Sequence, residues 1–252
     1  MKNIDLFSRC AENYAQSRPS YPREIIAALQ LHCRLTPSSV IADLGSGTGL
    51  LSQLFLDFGC EVYGVEPNKQ MRSAGELRLA TYPRFHSIAA QAEDTGLEEH
   101  TVDFITAGQA FHWFDAARTR AECVRILRPP GWTALLWNEL RLSATPFLTA
   151  YEHILERYAP EYKQVNRKGF TSEEMDDFFG PSNWTEQTFY NQQELDYDTA
   201  LARLLSSSYT PGPENAAYPR MVADFRQVFD AATTDGQALF LYTTRLYYGR
   251  LS

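Results

Sequence analysis

Val40-Ile41-Ala42-Asp43-Leu44-Gly45-Ser46-Gly47-Thr48-Gly49-Leu50, the stretch VIADLGSGTGL, decides how the rest of the chain is read. Val40, Ile41 and Ala42 read as the end of a buried strand, with Asp43 at its carboxyl end. Three glycines then alternate, Gly45, Gly47 and Gly49, and Leu50, Leu51, Leu54 and Phe55 follow at the period of a helix burying one face. Strand, glycine-rich turn and helix in that order make a nucleotide-type pocket. Glycine lets the backbone take positive φ and lets a ligand approach the main chain, and the helix N-terminus beyond offers unpaired N–H groups.

Outward from this stretch the same units recur. Glu61 to Glu66 (EVYGVE) predicts a second strand ending in an acid, about 20 residues past the glycine loop, where a carboxylate can accept hydrogen bonds from both hydroxyls of a ribose. A helix from Lys69 to Thr81, a strand from Arg84 to Ala90, a strand from Thr101 to Ala107 and a helix from Ala116 to Leu127 follow. Arg128-Pro129-Pro130-Gly131 reads as a breaker before a fifth strand, Trp132 to Trp137. Strands alternating with helices at this spacing imply a mostly parallel sheet with helices on both faces. If the first strand lies beside the fourth, the Gly45–Gly49 loop and the Gly108–Phe114 loop face each other across one crevice.

Ahead of the first strand, Ile4 to Arg18 predicts a helix that projects Tyr14 and Arg18 from one side. Pro19-Ser20-Tyr21-Pro22 reads as a turn, with a second helix to His32. After Asn138 the rhythm changes. Helices are expected at 145–158, 172–179, 197–207 and 218–232, and strands at 184–190 and 238–248. The chain is therefore expected to be a single domain over 1–252, with an N-terminal helical lid at 1–33 and a cofactor-binding core at 34–138. Residues 139–252 supply a tyrosine-rich substrate cap and the last two strands.

The pattern DxGxGxG from Asp43 to Gly49 lacks the third glycine of a dinucleotide fingerprint, which would fall at Leu50. It resembles motif I of the class I S-adenosylmethionine-dependent methyltransferases. VYGVEPN, with Glu66, Pro67 and Asn68, resembles that family's ribose and adenine motif. QAEDTGL, with Ala92 and Glu93, resembles its adenine-reading third motif. RILRPPGWTALLWNE resembles the family's post-helix RPGG turn and fifth strand, while ITAGQAFHWFD and FSRCAENYAQSRPSYP are similar to one small-molecule branch, that of trans-aconitate methyltransferase. The resemblance implies a Rossmann-like, doubly wound, mostly parallel seven-stranded sheet carrying a helical cap from its C-terminal part.

It also implies S-adenosylmethionine as cofactor, bound by Tyr14, Arg18, Asp43, Gly45, Ser46, Gly47, Gly49, Glu66, Pro67, Ala92, Glu93 and Gln109. Tyr14 and Arg18 would hold the methionine carboxylate. The acceptor pocket would draw on Phe111, His112, Trp113, Tyr209 and Arg245. His112 is the candidate catalytic base, its alternative being a packed histidine that shapes the substrate side. The expected reaction is methyl transfer to a small molecule, a carboxylate or a hydroxyl. A nicotinamide-dependent oxidoreductase and a non-catalytic cofactor-binding module are the competing readings.

Composition narrows the partners. With 23 Lys and Arg against 31 Asp and Glu the net charge is -8, and no basic run exists to meet a nucleic acid. No stretch reaches the roughly 18 apolar residues of a membrane span. The histidines lack metal-ligand spacing, so no metal is expected. The cysteines are far apart and no signal-peptide pattern opens the chain, which reads as a cytoplasmic protein with reduced thiols. Nothing in the sequence suggests an obligate interface, so a monomer or weak dimer is expected.

Overall fold

A computed structural model describes residues 17–162, 169–207, 209–233 and 235–251. The predicted helix at 4–18, and Tyr14 with it, lies outside these residues apart from its last two positions. The described chain opens on α1 (Glu24–Cys33) and enters the sheet at β1 (Val40–Leu44). From there it alternates through α2 (Leu50–Phe58), β2 (Glu61–Val65), α3 (Lys69–Arg78), β3 (Phe85–Ile88), β4 (Val102–Gly108), α4 (Ala116–Ile126) and β5 (Leu127–Leu140). The second half holds α5 (Pro146–Tyr158), α6 (Ser172–Phe179), β6 (Trp184–Leu195), α7 (Tyr197–Leu205), α8 (Tyr218–Ala232) and β7 (Ala238–Gly249).

The seven strands form one sheet in the order β3-β2-β1-β4-β5-β7-β6. All neighbours are parallel except that β7 runs antiparallel to both β5 and β6. The chain leaves β1 toward β2 on one side and reaches β4 on the other, so the order reverses between β1 and β4. In an open α/β sheet a ligand crevice forms beyond the carboxyl ends of the strands at such a point. The sheet is the Rossmann-like one expected, with helices on both faces.

Alternate residues of the strands feed two separate cores. On one face Ile41, Val62, Phe104, Ala134 and Leu136 pack against Ile25 and Leu29 of α1 and Leu51 and Phe55 of α2. On the other Ala42, Leu44, Ile105, Ala107 and Leu135 pack against Cys123 and Ile126 of α4 and Met175 and Phe178 of α6. A third core forms where α5, α7 and α8 close over the start of β7. Its centre is Tyr151, Leu204, Phe225, Phe240 and Tyr242, all buried.

Local signals account for most boundaries. Gly59 takes φ 107° and ends α2, Thr145 caps α5 by accepting from the Leu148 N–H, and Thr171 with Glu174 forms a reciprocal capping box on α6. Most boundaries fall within about three residues of expectation, and two depart further. β5 begins at Leu127, so the Arg128–Gly131 breaker lies inside the strand's run. Val102 pairs with Leu127 and Phe104 with Trp132, so the extra residues loop out as a bulge and pairing resumes beyond it. Gly131 permits this, because a Cβ there would meet Leu127 at 2.6 Å and the Arg128 carbonyl oxygen at 2.8 Å. β6 extends to Leu195 because its ladder with β7 continues to the Leu195–Ala238 pair, beyond the point where apolar alternation fades.

Candidate functional site

The crevice at the β1/β4 reversal encloses about 310 Å³. Its floor is the glycine loop. Gly45 and Gly47 take φ of 64° and 57°, and a Cβ on Gly45 would stand 2.6 Å from the Cβ of Ala110 and 3.1 Å from the Phe114 ring. The two loops predicted to face each other therefore do so at contact distance. Gly49 has a different task. It opens α2 at φ 80° and would drive a Cβ to 2.7 Å from Leu79, so its smallness serves the packing of α2 against α3. Gly49 does not line the crevice, whereas Gly45, Ser46, Gly47 and Thr48 do.

Asp43 is wholly buried beneath this loop. Its two oxygens accept from the Ser52 hydroxyl at 2.6 Å and the Thr106 hydroxyl at 3.0 Å, tying α2 and β4 to the end of β1. Burial pushes its carboxyl up to about 6, against the lowering effect of those hydrogen bonds. A carboxyl that binds its proton more tightly when folded contributes stability that is complete below its unfolded value near 4 and is lost as pH rises through the folded value. The unliganded protein should therefore lose about 2 kcal/mol of stability from this one group between pH 4 and pH 6.5. Urea unfolding of the wild type and Asp43→Asn across that window checks it. The difference between them should narrow steadily as pH rises, and parallel curves would refute the assignment.

Glu66 stands at the end of β2 with 8% of its surface exposed. One carboxylate oxygen accepts from the Asn68 N–H at 2.7 Å and the other from the Gly47 N–H at 3.0 Å. The acid thus joins the β2 end to the glycine loop, and its remaining lone pairs border the crevice. Burial raises its pKa, while the two N–H bonds lower it. Pro67, Asn68, Met71, Gln91, Ala92 and Glu93 continue the same wall. Glu93 accepts from the Asp115 N–H at 2.8 Å, which fixes the start of α4 beside it.

Gln109 follows β4 at φ 57°, and its side chain is engaged elsewhere than the crevice. Its amide nitrogen donates to the Asn138 carbonyl at 3.2 Å and its amide oxygen accepts from the Asn138 N–H at 2.9 Å. The side chain thereby extends the β4–β5 ladder by one rung, and Gln109 is left to present its backbone. Trp113 and Phe114 line the crevice, but Phe111 and His112 do not. Phe111 is buried against Phe170 and Phe178. His112 stacks at a tilt on Trp113 and meets Trp137 edge-on at 5.1 Å, which makes it a support for the Trp113 wall.

Arg245 stands apart from the crevice. Its guanidinium lies between Glu139 of β5 at 2.9 Å and Glu186 of β6 at 2.5 Å, an ion pair across three strands. Tyr209 packs on Tyr162 in the third core, with ring centroids 5.5 Å apart. Arg18 donates to the Ser206 carbonyl at 3.2 Å, at the C-terminal end of α7. It borders a small cleft of about 20 Å³ beside the crevice, formed with Tyr21, Leu50, Gln109, Asn138 and Arg203.

Tyr21, Asn138 and Arg203 were not singled out by the sequence. Tyr21 reads as a turn residue, yet it borders both the crevice and the cleft. Its hydroxyl sits so close to Gly108 that a Cβ there would come within 2.3 Å. A signal existed for Arg203: it falls with Ala200 and Leu204 on the buried stripe of α7, a place where helical period predicts an apolar residue.

Three carboxylates and no lysine or arginine line the crevice among the described residues. Such a wall favours a cationic ligand and offers a phosphate no cationic side chain. Also among the described residues, no helix is long and apolar enough to cross a membrane, and no group of His, Cys, Asp and Glu is placed to hold a metal ion.

Comparison with known proteins agrees with this geometry. Residues 42–135 match the family model described as a methyltransferase domain. An uncharacterized methyltransferase of Mycobacterium tuberculosis is 34% identical over 134 residues, 52% of this chain and 51% of that protein. One from Schizosaccharomyces pombe is 29% identical over 146 residues, 58% and 57% of the two chains. The chain spans about half the length of the curated relatives it matches. The solved structure of a putative type II methyltransferase from Anaeromyxobacter dehalogenans superposes with a TM-score of 0.63 at 25% identity, covering 93% of this chain and 98% of that one. A methyltransferase domain implies S-adenosylmethionine as cofactor.

Proposed function

We propose that the chain is an S-adenosylmethionine-dependent methyltransferase that acts on a small-molecule acceptor through a carboxylate or hydroxyl oxygen. The observation that carries this reading is the crevice wall: Asp43, Glu66 and Glu93 with no basic side chain, above a glycine loop that a single Cβ would obstruct. The sulfonium and ammonium of the cofactor suit this field. A dinucleotide suits it less, since Leu50 takes the place of that fingerprint's third glycine, the one that lets the helix pack closely on the strand.

When bound, S-adenosylmethionine supplies a methyl carbon already activated by its positive sulfur. The chain's own residues then have to bind, align and exclude water. Glu66 accepts from the ribose hydroxyls, and the backbone of Gly45 to Thr48 and of Gln109 borders the methionine half. Asp43 holds negative charge beneath it. Arg18, with Tyr14, meets the methionine carboxylate. Pro67, Ala92 and Glu93 flank the adenine, and Tyr21, Trp113 and Phe114 shield the crevice from solvent. In-line displacement gains most from such alignment and desolvation. Held there, the cofactor would offer its methyl group to an acceptor oxygen; a carboxylate oxygen has no proton to lose, whereas a hydroxyl would have to give its proton to solvent. The trans-aconitate-like branch, the lid and the tyrosine-rich cap fit this reading.

Calorimetry with S-adenosylhomocysteine and with NADH tests it. Binding of S-adenosylhomocysteine in the micromolar range is expected, and binding of NADH alone would overturn it. Mass spectrometry of a metabolite panel incubated with S-adenosylmethionine then separates an enzyme from a silent binding module. A carboxylate acceptor needs no base, and His112 supports Trp113 from outside the crevice. His112→Gln is therefore expected to keep kcat within about threefold with an unchanged pH profile, whereas loss of an essential base costs on the order of a hundredfold or more. Measuring kcat against pH for both forms decides the point.

A further inference from the structure

Arg203 is 93% removed from solvent in the wall of the small cleft beside the crevice, with a relative exposure of 7%. Its Nε donates to the Tyr242 hydroxyl at 3.0 Å, and that hydroxyl donates in turn to Gln193 at 3.0 Å. Its guanidinium also lies 5.6 Å from the centroid of the Tyr242 ring. Among the described residues no carboxylate pairs with it. A buried guanidinium with no acid is costly, and arginine cannot shed its proton to relieve that cost. Arg203 lines the cleft, and with Nε committed to Tyr242 the four N–H donors of its two terminal nitrogens remain for a ligand. Among the described residues, Tyr151, Tyr209 and Tyr242 share its electrostatic surroundings, and Arg18 borders the same cleft.

The cleft admits little. Its volume of about 20 Å³ is a little more than one water needs, so it suits the oxygens of a head group and not a whole acceptor. Tyr21, Leu50 and Gln109 border both this cleft and the large crevice, so a molecule anchored in one extends into the other. We propose that Arg203 is the anion receptor of the acceptor site: it takes a carboxylate of the acceptor in a bidentate grip and so selects anionic substrates. The proposal rests on the methyltransferase reading and adds the acceptor's charge to it. Neutral acceptors of the same shape would leave the guanidinium unpaired, and that penalty supplies the discrimination. The anchored carboxylate fixes the acceptor's register against the methyl carbon.

The test uses the full chain saturated with S-adenosylhomocysteine and titrated by calorimetry with matched pairs: butyrate and butyramide, phenylpropionate and phenylpropionamide, glutarate and glutaramide. At least one carboxylate is expected to bind ten times or more tightly than its amide. Arg203→Met should reduce that ratio to below two while S-adenosylhomocysteine still binds within about twofold of wild type. Arg203→Lys keeps the charge and should retain part of the preference, which a purely structural arginine would not predict. Should Arg203→Met fail to fold, Tyr242→Phe serves instead. It leaves the guanidinium in place but unaligned, and should cut carboxylate affinity severalfold with the amides unaffected.

Equal binding of acid and amide, or no binding of any carboxylate at millimolar concentration, overturns the proposal. So does a tenfold loss of S-adenosylhomocysteine affinity in Arg203→Met, which would assign the arginine to the cofactor's own carboxylate. Failure of the wild type to bind S-adenosylhomocysteine would instead remove the methyltransferase reading itself, so the two failures are distinct.

Discussion

Gly45→Ala is expected to lower stability by about 3 kcal/mol and to weaken S-adenosylhomocysteine binding by thirtyfold or more. Two separate costs add. Gly45 sits at φ 64°, where an L side chain costs about 1–2 kcal/mol. The new methyl would also stand 2.6 Å from the Ala110 Cβ and 3.1 Å from the Phe114 ring. The Ala110 Cβ is fixed to its backbone and cannot swing aside, so the 109–114 loop has to move, at a further cost of about 1–3 kcal/mol. For a domain of this size that corresponds to a fall in melting temperature of roughly 6–12 °C. The binding loss has the same origin, because the displaced loop is one wall of the crevice. Gly96→Ala separates the two costs: φ there is 71° with nothing within 4 Å of the added Cβ. It should cost about 1 kcal/mol and leave binding untouched. Thermal melts and calorimetry on both variants make the comparison, and a Gly45→Ala protein that behaves like Gly96→Ala would show that the two loops do not touch.

How much of this could be read in advance follows from where each constraint comes from. The crevice floor was legible because its requirement is written locally: a strand end, positive φ at Gly45 and Gly47, and a helix start all fall within one short stretch. Glu66 was legible for a similar reason, since one β-α-β unit fixes its distance along the chain from the loop it binds. Gly49 belongs to the same pattern, yet its smallness serves Leu79, just past the end of α3, whose approach the pattern does not encode. Arg245 and Arg203 reverse the lesson. Each is a lone arginine in an apolar surrounding, and only the order of strands decides its partner. Arg245 meets Glu139 across 106 residues of chain and Glu186 across 59, and the pair quenches it. Arg203 meets tyrosines and an open cleft. The sequence pointed to Arg245 and passed over Arg203; the antiparallel placing of β7 between β5 and β6 makes the first a structural cation and leaves the second for a ligand.

Glu66→Gln is expected to weaken S-adenosylhomocysteine binding by about a hundredfold, equivalent to about 2.7 kcal/mol, while stability falls much less. The wild-type carboxylate is acceptor-only and already receives the Gly47 and Asn68 N–H groups, one on each oxygen. Its remaining lone pairs are what a ribose diol can use, and charge-assisted bonds of this kind contribute about 1.5–3 kcal/mol each. Glutamine preserves the shape but turns one oxygen into a donor, which must then face either a backbone N–H or a hydroxyl. One bond is lost outright and the other is no longer charge-assisted. Glu66→Asp keeps the charge but draws the carboxylate back, and should fall between the two forms. An analogue with a dideoxyribose makes the reading specific: wild type should bind it about as weakly as Glu66→Gln binds S-adenosylhomocysteine, and the substitution should add little further loss. Equal losses on both ligands would mean that Glu66 acts only through the glycine loop. The pH dependence runs the same way. Because burial raises the Glu66 pKa, wild-type affinity should decline on acidification sooner than for an ordinary glutamate, and the glutamine variant should lack that decline.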